Sequence, residues 1–156
     1  MAIDNLDAVD LRILELLQED SSLSVKEIAT KVGLSTSPTY ERINRLQREG
    51  FIIKYVALLD RQKIGKDLVV YCNITLKEQS KSTLKNFEKA ASALKEVMEV
   101  ICVSGNYDYL LKVVTTDMRS YHNFVIEKLS TIENIANVQS LFVMEEIKRE
   151  TAYWLE

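Results

Sequence analysis

Ser24-Val25-Lys26-Glu27-Ile28-Ala29-Thr30-Lys31-Val32-Gly33-Leu34-Ser35-Thr36-Ser37-Pro38-Thr39-Tyr40-Glu41-Arg42-Ile43-Asn44-Arg45-Leu46-Gln47-Arg48-Glu49-Gly50 decides how this chain begins to fold. Ser24 and Glu27 have the spacing of a capping box, in which two side chains satisfy the free backbone N–H groups of a helix start. Val25, Ile28, Ala29 and Val32 then recur at i, i+3, i+4 and i+7, the stripe of a short amphipathic helix. Gly33 tolerates the left-handed backbone that ends a helix. Ser35 is placed to cap again, and Pro38 falls in the first turn, where its missing N–H breaks no helical bond. Thr39, Ile43 and Leu46 point roughly one way, and Gly50 ends this second helix. Two helices joined through Gly33-Leu34-Ser35 make a helix-turn-helix over residues 25–44.

The second helix of the pair has a polar outer face. Ser37, Pro38, Glu41, Arg45 and Arg48 lie roughly opposite the apolar side, with Arg42 on the flank. Arginines so placed suit phosphates or guanine edges, and Glu41 either accepts from a cytosine amino group or orients a neighbouring arginine. Ser35, Thr36 and Ser37 lie at the helix start, where hydroxyls, backbone N–H groups and the dipole favour a phosphate. The competing reading is a solvated helix in an ordinary bundle. Turn glycine, two caps and correct spacing together favour double-stranded DNA as the partner.

Upstream, Leu6-Asp7-Ala8-Val9-Asp10-Leu11 opens another helix, with Asp7 as cap, Asp10 at the third position and Leu6 and Leu11 as a hydrophobic staple. Leu6, Asp10, Ile13, Leu14 and Leu17 share a face, and Ser21-Ser22 stops the helix. Downstream, residues 51–60 read as a strand and residues 61–66 as a connection. Leu68, Val70, Cys72, Ile74 and Leu76 then alternate with Val69, Tyr71, Asn73 and Thr75, a period of two. Leu84, Phe87, Ala91 and Leu94 mark a helix. Residues 97–104 and 107–116 form a hairpin about Gly105-Asn106. Asp117 caps a helix carrying Tyr121, Phe124, Val125, Leu129 and Ile132, and residues 138–146 form the last strand. The tail from residue 148, with Tyr153 and Trp154, is apolar enough to pack on a partner or on the sheet.

The order β-α-β-β-α-β is ferredoxin-like, with one sheet face under helices and the other open or covered by another copy. The expected architecture is α+β. A helix-turn-helix domain spans residues 1–52, a connecting strand and linker 53–66, and a ferredoxin-like domain 67–156.

Composition sets the limits. The chain has 156 residues, 47% apolar and 28% charged, with a net charge of −3, a folded and soluble profile. The net acidity argues against nucleic acid, but residues 35–54 hold four basic side chains against two acidic ones. The acids of the first helix are expected to face away from a duplex. No apolar run reaches the roughly 20 residues that span a bilayer, so no membrane partner is expected. The N-terminus carries no signal-peptide pattern. Cys72 and Cys102 sit in apolar segments and read as reduced core thiols, which points to the cytoplasm. With His122 as the single histidine, no metal site is expected. No nucleophile–base pair or phosphate loop appears, so no catalytic residue is assigned.

Six stretches carry a resemblance to a known family. Leu6-Asp7-x-x-Asp10-x-x-Ile13-Leu14, Gly33-Leu34-Ser35 and Arg42-Ile43-x-Arg45-Leu46-x-x-x-Gly50-Phe51-Ile52 resemble the N-terminal half of the leucine-responsive regulator/AsnC (Lrp/AsnC) family. Val103-Ser104-Gly105-Asn106-Tyr107-Asp108-Tyr109-Leu110-Leu111 resembles that family's hairpin in its amino-acid-sensing domain. Asp117-Met118-x-x-Tyr121 and Val143-Met144-Glu145-Glu146-Ile147-Lys148 match the leucine-responsive branch. The resemblance covers nearly the full length. It implies a winged type of DNA-binding domain, a transcriptional regulator, dimers joined through their sheets, octamers built from dimers, and an amino-acid effector (leucine or another) bound between dimers. It makes Arg42 and Arg45 recognition-helix arginines and Gly105 and Asp108 effector-loop residues. Two places depart from the family's usual pattern: Asn134-Ile135-Ala136-Asn137 where Pro-Gly is common, and Asn44 where a basic residue is common.

Physical chemistry supports the effector loop as a site. Gly105 allows close backbone approach, exposed amides hold a carboxylate, and Asp108 accepts from an ammonium group. Asn106, Tyr107 and Met118 join them as candidate effector residues. The same loop also reads as a plain hairpin turn with a capping Asp, and Met118, Tyr107 and Phe142 as core or interface positions. Two further functions stay open beside an amino-acid-responsive regulator: an architectural DNA-binding protein without effector, and an adaptor whose helix-turn-helix binds protein.

Overall fold

The computed structural model describes residues 5–155, which fall into two compact units. One runs up to Leu58 and includes the tail from Lys148, and the other spans Leu59–Ile147.

The first unit is three helices, α1 Ala8–Glu19, α2 Val25–Val32 and α3 Thr36–Arg48. The expected capping box of Ser24 with Glu27 forms on α2, and Asp7 caps α1 as expected, with Asp10 at the third position completing a box there too. Gly33 ends α2 at φ 71° and Gly50 follows α3 at φ 80°, values that favour glycine. Ile13, Leu14, Leu16, Ile28, Ile43 and Leu46 form the core. Ser35 occupies the cap position of α3 but makes no side-chain cap bond. The hydroxyl of Thr39 instead donates to the Ser35 carbonyl at 2.9 Å, one turn back.

The expected strand over residues 51–60 does not form. Its backbone has no ladder partner among the described residues, and Ile53 is 90% exposed. A strand needs a neighbour for its alternate N–H and C=O groups.

The second unit is β1 Leu68–Leu76, α4 Lys81–Ser92, β2 Val97–Cys102, β3 Tyr109–Thr115, α5 Met118–Glu127 and β4 Ile135–Phe142. The sheet order is β2-β3-β1-β4, antiparallel throughout, the ferredoxin-like arrangement. Val70, Cys72, Ile74, Leu111 and Val113 pack against Phe87, Ala91, Tyr121 and Phe124 of the helices. Alternation puts Tyr71, Leu110, Lys112, Ile101 and Leu141 on the opposite face. The helix opened by Asp117 stops at Glu127, and Leu129, expected on it, sits in a 3-10 turn.

Other expectations need correction. The last strand lies three residues earlier than the pattern suggested and ends at Phe142 rather than at residue 146. Asn134 explains its start. It takes φ 72°, and its side-chain amide bonds both backbone groups of Glu78, accepting from N–H at 3.0 Å and donating to C=O at 2.8 Å. Asparagine tolerates the left-handed region, so the turn closes without Pro-Gly. Cys102 is exposed on β2, an edge strand, whereas Cys72 is buried as expected.

The tail does not lie on the sheet. Tyr153 is held by Gln18 of α1, which accepts from its N–H at 2.7 Å and donates to its C=O at 3.0 Å, and Leu155 packs on the helical core. Trp154 beside them is 82% exposed.

Candidate functional site

Helix α3 presents two kinds of surface. Ser35, Thr36, Ser37 and Pro38 at its start are exposed, as are Glu41 and Arg48 further along. Tyr40, which the sequence pattern did not single out, stands exposed among them. Its signal was its position three residues after Ser37, one turn along the same face.

Arg42 and Arg45 sit differently from the expectation that Arg45 points outward. Both turn toward α1. Arg42 Nη1 donates to Asp7 Oδ2 at 2.6 Å and to Asp10 Oδ1 at 2.8 Å, and Arg45 Nη2 donates to Asp10 Oδ2. The arginine side chains keep 29% and 36% exposure, so part of each guanidinium still faces solvent. Hydrogen bonds donated to Asp10 and Asp7 hold the Arg42 guanidinium above its ordinary pKa. Asp7 lies below the usual carboxylate range because the Asp10 backbone N–H and then Arg42 donate to it. The acids of α1 therefore do not simply face away from α3. Two of them grip its arginines.

The β2–β3 hairpin carries the second candidate site. Ser104, Gly105 and Asn106 are exposed at its tip, and Gly105 has φ 134°, a conformation that favours glycine. Asp108 is engaged within the chain. Its Oδ2 accepts from the Leu76 backbone N–H at 2.7 Å and its Oδ1 from Gln79 Nε2 at 2.6 Å. The Tyr107 hydroxyl donates to Gln139 Oε1 at 2.5 Å, on the same amide that Asn73 reaches at 3.2 Å. Met118 is exposed at the start of α5. The fold therefore brings Gly105, Asn106, Tyr107 and Asp108 together on one hairpin, while Met118 belongs to a separate element.

Buried polar groups elsewhere in this unit are structural. The Tyr121 hydroxyl bonds Ser140 at 2.5 Å and Cys72 Sγ at 3.2 Å. Burial raises the Cys72 thiol, which disfavours a reactive thiolate. Among the described residues no group of three or more His, Cys, Asp or Glu is arranged to hold a metal ion. None of the described helices is long and apolar enough to cross a membrane.

Known proteins match both units. Residues 69–153 match the model of the Lrp/AsnC ligand binding domain, and residues 6–53 match a winged helix-turn-helix DNA-binding model. The proline dehydrogenase transcriptional activator of Rhizobium radiobacter is 39% identical, the match covering 93% of each chain. The leucine-responsive regulatory protein of Rhizobium meliloti is 38% identical, the match covering 92% of each. Among solved structures, an AsnC family transcriptional regulator from Agrobacterium tumefaciens superposes with a TM-score of 0.91 at 41% identity, covering 95% of this chain and 96% of that one. A transcriptional regulator of Neisseria meningitidis, solved as a complex with L-Met, gives 0.91 at 31% identity, covering 96% of each.

Proposed function

The chain belongs to the Lrp/AsnC family and is a DNA-binding transcriptional regulator with an amino-acid ligand-binding domain, not an enzyme; on that premise we propose that α3 docks on double-stranded DNA and that an amino acid at the β2–β3 hairpin changes how tightly it does so. The observation that carries the first half is α3 itself. Its exposed start, Ser35, Thr36, Ser37 and Pro38, offers hydroxyls and backbone N–H groups to a phosphate. Glu41 and Arg48 continue that surface, with the free edges of Arg42 and Arg45 beside it.

For the effector, the L-Met complex of the Neisseria meningitidis regulator supports an amino acid, with leucine and methionine the first to try. Gly105 and Asn106 supply exposed amides for its carboxylate, with Tyr107 beside them, and Met118 on α5 is a further candidate contact. Asp108 serves its ammonium group through the lone pairs that Leu76 and Gln79 leave free, since a carboxylate accepts at about four positions. We place this protein in the cytoplasm, as a dimer joined through the open sheet face and assembled further into octamers, with the effector between dimers.

A thermal-shift screen over the 20 amino acids tests the ligand half. A ligand bound only to the native state raises apparent stability by about 2.7 kcal/mol at a hundredfold excess over Kd. At least one amino acid is expected to raise the midpoint. No shift with any of them at millimolar concentration leaves an architectural DNA-binding protein.

A further inference from the structure

Among the described residues Asp10 is the one charged residue in the core, with 1% of its surface exposed. Its two oxygens serve different partners on α3. Oδ1 accepts from Arg42, and Oδ2 accepts from Arg45 and, at 3.2 Å, from the Asp7 backbone N–H. Arg42 and Arg45 are three residues apart, so one carboxylate engages adjacent positions on one helix face. Each arginine is anchored through a terminal nitrogen, and the Nε of Arg45 is buried without a partner. A guanidinium is planar and rigid, so fixing one edge fixes where the other edge aims.

We infer that Asp10 is a positioning residue for sequence recognition: from the core of the helical unit it orients Arg42 and Arg45 so that their free edges meet base edges in one register. This rests on the proposal that α3 contacts DNA, and goes beyond it by assigning specificity to a residue that touches no DNA. The reason is geometric. Phosphate contacts tolerate a mobile cation, whereas a bidentate contact to guanine requires a fixed plane and angle. Without Asp10 the arginines keep their charge and their attraction to the backbone, but Arg45 loses its anchor and Arg42 is left with Asp7 alone, so their common aim is lost. Removing one negative charge beside them also favours nonspecific binding.

The experiment selects binding sites from a randomised duplex pool with wild type, Asp10→Asn and Arg45→Lys. It then measures affinity for the wild-type-selected duplex and for a random duplex, each protein first checked for native circular dichroism. Asp10→Asn is expected to reduce the ratio of selected to random affinity roughly tenfold or more while binding random duplex at least as tightly as wild type. Arg45→Lys keeps the charge and the pairing of Asp10 but not the planar fork, and is expected to lose discrimination in the same direction. A purely structural Asp10 lowers both affinities together and leaves the ratio alone. Folded Asp10→Asn with the wild-type ratio overturns the inference. Should Asp10→Asn fail to fold, Arg45→Lys with the wild-type ratio overturns it. Wild type that selects no motif removes the proposed DNA reading itself, a result distinct from an unchanged variant.

Discussion

Asp108 shows how much of a residue's surroundings lies outside its local sequence. The hairpin motif drew attention to it as a ligand group, but the bond from the Leu76 N–H spans 32 positions and leaves no local pattern. Replacing it with alanine strips a buried amide of its acceptor, and the cost of such a loss is about 1–3 kcal/mol. Asp108→Ala is therefore expected to destabilise the protein in urea as well as weaken any ligand. A variant with the wild-type midpoint would show that this bond is not structural. Asp10 was legible as the third position of a helix and as the one polar member of its apolar face, but not as a partner of arginines. Its grip on Arg42 and Arg45 depends on how α1 packs across α3, which a one-dimensional pattern does not contain. Tyr40 was missed although its spacing from Ser37 placed it on the exposed face, because an aromatic side chain there does not look polar.

Helices were legible because their signals are local. The box at Ser24/Glu27, and the caps at Asp7 and Asp117, form as read, since each needs only residues three apart. Strands over residues 51–60 and 138–146 were misplaced because pairing is non-local. Asn134 sets the start of β4 by bonding Glu78, 56 positions away, while residues 51–60 find no neighbour. Gly33 at φ 71° is expected to resist substitution. A Cβ in that conformation costs about 1–2 kcal/mol, so Gly33→Ala should lower the denaturation midpoint even though no atom would clash with the new methyl. A midpoint at or above wild type would count against that backbone.

The caps also set an acid limit. Asp7, Glu27 and Asp117 are all held below their ordinary carboxylate ranges, by hydrogen bonds from the Asp10 backbone, the Ser24 side chain and the Ser120 backbone respectively. A folded pKa below the unfolded one gives stability that is present above the unfolded value and lost as pH falls through the folded one. Denaturation midpoints are expected to hold above about pH 5 and to fall below about pH 4, where unfolded carboxylates titrate. A flat profile down to pH 3 would contradict the capping role.

At the scale of the molecule, the proposed function divides between the two units, with the exposed helix α3 assigned to the duplex and the β2–β3 hairpin to the ligand. Leu141 and Ile101 remain exposed on the sheet face away from α4 and α5, and an apolar groove of about 890 Å³ on the helical unit is lined by Leu6, Leu14, Leu17, Phe51, Ile52 and Leu155. Apolar surface of that kind suits contact with a second copy, which the proposed dimer requires. Light scattering at micromolar concentration is expected to give a particle well above the 17.9 kDa of one chain. A particle of that single mass would remove the dimer, and with it a pseudo-palindromic site whose halves lie about 34 Å apart. Coupling between ligand and duplex requires that the ligand bind one assembly or conformation better than another. The most direct test is the affinity for a duplex selected by the wild-type protein, followed by fluorescence anisotropy across salt concentrations, with and without each amino acid. The account predicts binding that weakens steeply as salt rises and shifts by roughly 5- to 150-fold with at least one amino acid. An affinity that no amino acid moves, or duplex binding that is absent or indifferent to salt, would contradict it.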